Sequence, residues 1–195
     1  VLLLVILAWN CAACGSSGGS KGKAAAGAGA YSVTDEAGRM VHFTGKPQRI
    51  VSLTYGTDEI LTALVDVKRL AAYSKWAGDP EITFITPEQA AKVGHKLAEN
   101  NAEAVVALQP DLIVLSTSSP EGAAKTFTEM GLRVYVASSP KTYAEMQKKI
   151  RGLAAAVGEQ EQGQKILTGM DRDLAAVQKP LQQLKPEQER VAMAF

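Results

Sequence analysis

A short buried strand followed at once by a tight turn and a helix is the feature that most constrains the fold of this chain. Pro47 lacks a backbone donor and has a fixed φ, so it suits the residue just before a strand. Residues 50–53 form an apolar, partly β-branched run that is typical of a strand buried on both faces. Thr54 ends the run, and Asp58 and Glu59 then stand where the dipole of a helix favours acidic side chains. This order predicts the first half of a parallel βα unit, in which ligands lie beyond the carboxyl end of the strand.

Segments with the patterns of strands and helices alternate along the rest of residues 31–158. Further strands are predicted at four short apolar runs, residues 70–74, 93–94, 112–115 and 133–137. Two alternating segments, 31–35 and 39–43, flank Gly38, which can supply the positive φ of a β-hairpin loop. The sequence therefore predicts an α/β fold, a lobe with a parallel sheet flanked by helices plus a β-hairpin.

Candidate capping residues predict where several helices begin. Asn100 or Asn101 is a candidate N-cap for the helix that follows them. Ser119 stands directly before a proline and an acidic residue, so it is expected to cap the helix after strand 112–115. Thr142 and Glu145 have the spacing of a capping box, in which each side chain bonds to the backbone N–H of the other residue.

Two long helices are predicted after residue 142. Apolar side chains recur every three or four positions from Tyr143 to Val157, which indicates one helical face, and Gly158 ends that helix. A second helix with its own apolar stripe is predicted over residues 159–185, with a kink expected at Pro180. Residues 186–195 then lead into a new strand.

The first 30 residues differ in character from the rest of the chain. Residues 1–8 form an apolar run that is too short to span a bilayer and is typical of a secretory signal peptide. No initiating Met is present, so segment 1–14 is expected to begin partway into that signal. It ends in Ala-Ala-Cys, and with the Gly that follows this resembles a bacterial lipobox and makes Cys14 the candidate lipidated residue; an ordinary signal peptide with two incidental cysteines is the alternative. Residues 15–30 are almost wholly Gly, Ser, Ala and Lys, which predicts a flexible tether.

Charge and cysteine placement argue against several classes of function. The chain has 21 basic and 20 acidic residues and a formal net charge of +1, so nucleic-acid binding is not expected. Both cysteines precede the tether, so no disulfide or thiol chemistry is expected in the folded part. The two histidines lie outside any recognisable triad or metal-ligand spacing, and neither a cofactor nor a resident metal is expected.

Five segments of the folded part form an ordered set ahead of the second long helix: residues 33–39, 46–52, 92–94, 103–113 and 131–136. Together with that helix they resemble the substrate-binding lipoproteins of bacterial ABC importers for iron-siderophores, haem and cobalamin. The resemblance covers residues 31–195 and implies two α/β lobes joined by one long helix. It places an N-terminal lobe at residues 31–158, the interlobe helix at 159–185 and the first strand of a truncated second lobe at 186–195.

The resemblance also implies a function. Such a protein captures an iron-siderophore, haem or cobalamin-type ligand outside the cytoplasm, in the periplasm or at the outer face of the cytoplasmic membrane. It is held there by a lipid anchor, acts as a monomer and delivers its ligand to an ABC permease. The alternatives are a structural or adhesive surface lipoprotein and a doubly wound α/β enzyme. The enzyme is disfavoured because the first turn has neither the G-x-G-x-x-G pattern nor a Walker loop.

In the resembled family the ligand lies between the lobes, so the loops at the strand ends form the candidate site. The expected ligand-binding residues are Thr54, Tyr55, Trp76, His95, Ser116 and Thr117. Trp76 is expected either to stack on a flat or apolar ligand or to pack over an edge of the lobe. Tyr55 could stack in the same way or bind haem iron through its phenolate. His95 could be an axial haem ligand or a solvated side chain, and Lys75 and Lys96 could attract an anionic siderophore.

Glu103 is a candidate for a different kind of contact. In the resembled family an acidic residue at the start of this helix docks against arginines of the permease. The alternative is a first-turn glutamate that only stabilises the helix N-terminus, and both roles are compatible.

Overall fold

The computed structural model describes residues 29–98 and 101–181. Its strands are β1 (Tyr31–Thr34), β2 (Met40–Phe43), β3 (Ile50–Ser52), β4 (Leu70–Ser74), β5 (Lys96–Leu97), β6 (Leu112–Ser116) and β7 (Val134–Ala137). Its helices are α1 (Tyr55–Leu64), α2 (Pro87–Val93), α3 (Ala102–Ala107), α4 (Ala123–Glu129), α5 (Tyr143–Val157) and α6 (Gln160–Leu181). The predictions for the signal peptide, the lipobox, most of the tether, Asn100 and the strand within residues 186–195 lie outside the described residues.

Strands β3 to β7 form one parallel sheet in the order β5-β4-β3-β6-β7. The central strand β3 pairs with β4 on one side and with β6 on the other, so the carboxyl ends of these strands lie next to one another. Helices connect successive strands, as expected for parallel pairs that need a crossover. The sheet confirms the α/β fold that the sequence predicts.

The sheet separates two apolar layers. Leu112 and Val114 face one layer, which also contains the apolar side chains of α1 and α5. Ile113 and Leu115 face the other layer, where Val105 of α3 and Phe127 of α4 pack. Alternate residues of β6 therefore enter opposite layers, which explains why its sequence is apolar at successive positions.

A β-hairpin of β1 and β2 covers one border of the first layer, as predicted. The strands are antiparallel, and the rings of Tyr31 and Phe43 stack with centroids 4.8 Å apart. The turn is closed by Asp35, whose carboxylate accepts hydrogen bonds from two backbone N–H groups of the loop and from the Arg39 guanidinium. The Glu36 N–H donates to the Val136 carbonyl at 3.0 Å, which fastens the hairpin to β7.

The expected strand at residues 93–94 is wrong. Val93 is the last residue of α2, and Gly94 ends that helix in the left-handed region at φ 80°. The helix begins with a capping box in which Thr86 accepts from the Gln89 N–H and the Gln89 side chain accepts in return. Val93 is apolar because it packs against the core from the end of a helix, and an isolated apolar residue of this kind can be mistaken for part of a short strand. The strand itself follows as the two residues of β5.

One expected helix start and one expected capping box also need correction. Helix α4 begins at Ala123, not directly after Ser119, and Gly122 with φ 85° precedes it. The Ser119 hydroxyl accepts a hydrogen bond from the Ser116 N–H at 3.1 Å, so it closes the turn after β6 and does not cap the helix. At α5, the Thr142 hydroxyl accepts from the Glu145 N–H as expected, but the Glu145 carboxylate accepts from Lys141 N–H. Asn101 does cap α3, through a bond from the Ala104 N–H.

The two long helices pack against each other, and Glu159 fixes the start of the second. Its carboxylate lies 2.6 Å from Arg69 Nη1 and 3.0 Å from Lys46 Nζ. Arg69 also donates to the carbonyl groups of Val157 and Pro47. Burial tends to raise the pKa of Glu159, but the hydrogen bonds and charges of Lys46 and Arg69 outweigh it and lower that pKa. No helix in residues 29–98 and 101–181 has both the length and the apolar content that a membrane crossing requires.

Candidate functional site

Two adjoining depressions lie at the carboxyl ends of the parallel strands. The first, here called the Trp76 depression, has a volume of about 350 Å³ and is lined by residues that include Thr54, Tyr55, Lys75, Trp76, Leu97 and Ser118. The second, the Lys149 depression, has about 290 Å³ and is lined by residues that include Tyr55, Gly56, Glu59, Ser116, Ser139 and Lys149. Tyr55 lines both and is 50% exposed, so its side chain is accessible to a ligand in either depression.

Trp76 is placed by the turn that follows β4. The Ala77 N–H donates to the Ser74 carbonyl at 3.2 Å, so the chain bends sharply where the strand ends. The indole is 39% exposed, and the Lys75 ammonium lies 4.3 Å from the centroid of the Trp76 ring, within cation–π range. Trp76 therefore lines a depression at the sheet edge with part of its ring accessible to a ligand.

The Lys149 depression contains both signs of charge. Lys149 lies in α5 and is only 6% exposed, and burial lowers the pKa of its ammonium while the charge of Glu59 opposes that shift. The Glu59 carboxylate is already engaged, since its Oε1 accepts hydrogen bonds at 2.9 Å from the Thr83 hydroxyl and from the Phe84 N–H. The two side chains line the same space without forming an ion pair within the described residues.

Hydroxyl groups connect the ends of β6 and β7. The Ser116 and Ser139 hydroxyls lie 2.8 Å apart, and the Ser118 hydroxyl donates to Ser116 Oγ at 3.1 Å. The Thr117 hydroxyl accepts from the Ser139 N–H at 3.1 Å, and the Thr117 N–H continues the ladder to the Ala137 carbonyl. The result is a wall of short polar side chains held by two neighbouring strands.

Asp58, in the first turn of α1, connects that helix to the end of β4. Its carboxylate accepts hydrogen bonds from the Ser74 N–H and, at 2.6 Å, from the Ser74 hydroxyl, which ties α1 to the end of β4. Beside it, the Thr57 hydroxyl lies 2.8 Å from both the Ser52 and the Thr54 hydroxyls. Burial raises the pKa of Asp58 to about 7, against the opposing effect of the serine hydrogen bonds.

The structure brings together some of the residues that the sequence predicts. Thr54, Tyr55, Trp76 and Ser116 all line one or both depressions. Thr117 lies beside them but uses its hydroxyl to join the strand-end loops, as described above. Their convergence follows from the parallel sheet, which places the carboxyl ends of β3, β4 and β6 side by side.

His95 and Glu103 lie elsewhere. His95 precedes β5 instead of following it, is exposed, and its carbonyl accepts from the Tyr73 N–H, so its expected place in a strand-end loop is wrong. The neighbouring Lys96 lines a separate depression beside Gly78. Glu103 is exposed in the first turn of α3 and lines neither depression.

Sequence reasoning missed Lys149, Glu59 and Ser139. A signal for Lys149 was available, because it stands three residues after Met146 and four before Leu153 and so interrupts the apolar stripe of its helix. Ser139 had no comparable signal, since it lies two residues beyond β7 among other small polar residues. Within the described residues no cluster of three or more His, Cys, Asp or Glu side chains could hold a metal ion.

A parallel sheet with an open depression beyond its strand ends is an arrangement that ligand-binding α/β proteins share. Residues 50–194 match the family model described as a periplasmic binding protein, and the chain belongs to that family. The family consists of solute-binding proteins, which confirms the expectation that this chain is not an enzyme.

Named relatives and a solved structure agree with this assignment. The chain is 25% identical over 177 residues to the iron-uptake system-binding protein of Bacillus subtilis (strain 168), a match that covers 90% of this chain and 55% of the relative. It is 26% identical over 188 residues to the probable siderophore-binding lipoprotein YfiY of the same organism, covering 93% and 54%. The periplasmic vitamin B12 binding protein BtuF of Vibrio cholerae is 25% identical with a TM-score of 0.58, covering 72% of this chain and 53% of that one. The chain thus spans about half the length of the curated relatives that it matches.

Proposed function

We propose that this protein captures an iron-siderophore, haem or cobalamin-type ligand outside the cytoplasm and delivers it to an ABC importer. The observation that carries the proposal is the exposed aromatic pair, Tyr55 and Trp76, at the strand ends of a periplasmic binding protein. The names of the two curated relatives, for iron uptake and siderophore binding, support the same ligand class. Because the chain spans about half of those relatives, the described residues correspond in this proposal to the first of two ligand-binding lobes.

The chemistry of the Trp76 depression suits a large, partly apolar ligand. Accessible aromatic rings can stack on a macrocycle or on an aromatic chelating group, and their neighbours Thr54 and Ser118 supply hydrogen-bonding hydroxyls. A volume of about 350 Å³ on an open surface holds part of such a ligand. The rest of the ligand would remain exposed for contact with a second lobe. A structural or adhesive lipoprotein, the remaining alternative, has no use for exposed aromatic side chains at this edge.

Ligand titration by isothermal calorimetry tests the proposal for every variant, and in the wild type the titration is also followed by the fluorescence of the Trp76 indole. We expect at least one of a ferric siderophore, haemin or cobalamin to quench it saturably. Trp76→Ala should raise the Kd for that ligand roughly tenfold or more, because a buried aromatic contact is lost. Phe84→Ala is the matched control, since Phe84 follows Trp76 in the same connection, is 92% exposed and lines neither depression. Failure of all three ligands to bind, or equal losses in the two variants, would contradict the proposal.

Two further parts of the proposal concern the membrane. Cys14 is the lipidated residue, on the grounds of the Ala-Ala-Cys-Gly sequence, and a relative named as a lipoprotein supports this. Glu103 contributes a charge for docking to the permease, and its exposure at the start of α3 leaves it accessible for that contact. The protein acts as a monomer in this proposal, since a single copy presents its site to the permease.

A further inference from the structure

The Lys149 ammonium is buried, and no side chain of the described residues pairs with it directly. The residue is 6% exposed, and among residues 29–98 and 101–181 its Nζ makes neither a hydrogen bond nor an ion pair. Its neighbour Lys148, by contrast, is exposed and pairs with Glu36 at 2.9 Å. An uncompensated buried ammonium costs free energy, so its persistence in a solvent-facing depression indicates that something else satisfies it.

The N-terminus of α1 opens into the same depression. This helix has ten residues, and the side chain of Thr54, which precedes it, makes no capping hydrogen bond. The Thr57 and Asp58 N–H groups bond to the Thr54 carbonyl, whereas those of Tyr55 and Gly56 have no acceptor in the described part of the chain. A helix begins with a partial positive charge, and free N–H groups there favour an anion.

The ammonium and the helix N-terminus lie directly against each other. Lys149 Nζ is 3.3 Å from the position that a Cβ on Gly56 would occupy, so the ammonium lies close to the backbone of the first helical turn. Two positive groups in contact repel each other. The only carboxylate that lines the depression, Glu59, is held by Thr83 and Phe84 and lies beyond ion-pair distance of Lys149 within the described residues. An anion placed between the ammonium and the helix would satisfy both.

We infer that the Lys149 depression is an anion subsite, which binds a negatively charged oxygen group of the ligand between the Lys149 ammonium and the first turn of α1. The hydroxyls of Ser116 and Ser139 line the same depression and can donate to further oxygens of the same group. Carboxylate and catecholate oxygens have the charge and geometry that such donors bind. The inference rests on the proposed function, because it assigns a ligand charge to the site described there.

A consequence is selectivity among chelates of similar size. An anionic ferric tris-catecholate satisfies the ammonium, whereas a neutral ferric tris-hydroxamate leaves it buried and unpaired. A site that leaves a charged group unpaired against one ligand discriminates strongly in favour of the other. The protein should therefore prefer the anionic complex.

The test measures Kd for these two complexes with the wild-type protein, Lys149→Met and Lys148→Met. Methionine keeps the unbranched shape and most of the length of the side chain and removes its charge. Lys149→Met should weaken binding of the tris-catecholate roughly 10- to 100-fold, the range for a hydrogen bond to a charged group, and change the Kd for the tris-hydroxamate less than about twofold. Lys148→Met, one position away on the same helix, should leave both affinities unchanged. Equal loss for both complexes, or no loss for either, overturns the inference.

The ligand-free protein gives a second readout that does not depend on the choice of chelate. Removing an unpaired ammonium from beside a helix N-terminus should raise the Tm of Lys149→Met above that of the wild type, and free citrate should raise the Tm of the wild type only. A lower Tm in Lys149→Met, or the same citrate shift in both, overturns the anion subsite. If the wild type binds neither chelate but shows the citrate effect, the iron-chelate function fails while the subsite stands.

Discussion

Asp58 shows how a single residue can make the stability of this site depend on pH. Its carboxyl is fully buried between α1 and the end of β4, and burial raises the pKa of Asp58 to about 7 from its ordinary value of 3.8. The folded protein therefore holds this proton at pH values where the unfolded chain has released it. Linkage then requires the free energy of unfolding to fall as pH rises between about 4 and about 7, and to level off above that range.

Asp58→Asn should remove this part of the pH dependence. Asparagine stays neutral, so the wild type should lose stability relative to the variant between pH 4.5 and 7.5, by at most about 4 kcal/mol. Urea unfolding at the two pH values measures the difference. Asp66→Asn is the control, because Asp66 is exposed and caps only the single 3₁₀ turn Val67–Arg69. Parallel pH profiles for the wild type and Asp58→Asn would contradict the prediction.

At the same scale, sequence reasoning found the residues whose place follows from a general rule. Thr54, Tyr55 and Trp76 directly follow apolar strands, and parallel strands expose the residues at their carboxyl ends together. Lys149 approaches the site from a helix that is distant in the chain, and its position depends on how α5 packs over α1. No local pattern in the sequence specifies that packing, so the approach of Lys149 to Gly56 could be found only from the structure.

Among the elements, α6 is positioned by a glycine. A Cβ on Gly163 would lie 2.5 Å from the Ala154 Cβ, which is closer than two carbon atoms pack, so only glycine lets α6 approach α5 this closely. Leu167, one turn further along, is almost fully buried as a result. The pairing of the two helices therefore depends on a residue that ordinarily disfavours helices.

Two alanine substitutions in α6 should have opposite effects. Gly163→Ala should lower the free energy of unfolding by about 1–3 kcal/mol, because the added methyl group forces the two helices apart. Gly169→Ala, where a Cβ meets nothing within 4 Å, should raise it by up to about 1 kcal/mol through the better helix propensity of alanine. Denaturant unfolding of both variants measures the contrast. A gain in stability from both would show that α6 does not need the close approach.

The elements that sequence reasoning placed well are those with long or unambiguous patterns. The hairpin, the strands at 50–53, 70–74, 112–115 and 133–137, and the helix from Tyr143 to Val157 match the structure to within a residue or two. Strand β5 was misplaced because a two-residue strand carries no periodicity, and because Val93 offered a stronger apolar signal at the end of α2. The start of α4 was misplaced because Ser119 has the residue type of a cap but closes a turn.

For the whole molecule, the proposal predicts that capture and delivery can be separated. Glu103→Ala should reduce permease-dependent uptake roughly tenfold, as for the loss of one interfacial charge pair, while ligand affinity stays unchanged. Cys14→Ser should lose both incorporation of a fatty-acid analogue and uptake. Uptake of a radiolabelled ferric siderophore by cells that produce each variant measures the effects.

Each of these variants has a matched control in the chain. Glu161→Ala removes another exposed first-turn glutamate, from α6, and should leave uptake intact. Cys11→Ser should retain both the fatty-acid label and uptake. Normal uptake by Glu103→Ala together with a sharply lower Tm would show that Glu103 only stabilises the helix. Equal labelling of the two cysteine variants would exclude Cys14 as the lipidation site.

The ion pairs that Lys46 and Arg69 make with Glu159 have a mechanical consequence. They fix one end of α6, whose 22 residues extend for about 33 Å at the rise of an α-helix. A rod of that length turns each degree of rotation at its pivot into about 0.6 Å of travel at its tip. Together with the packing of α6 against α5, three side chains at the pivot therefore set how accurately α6 can hold whatever it carries at its other end.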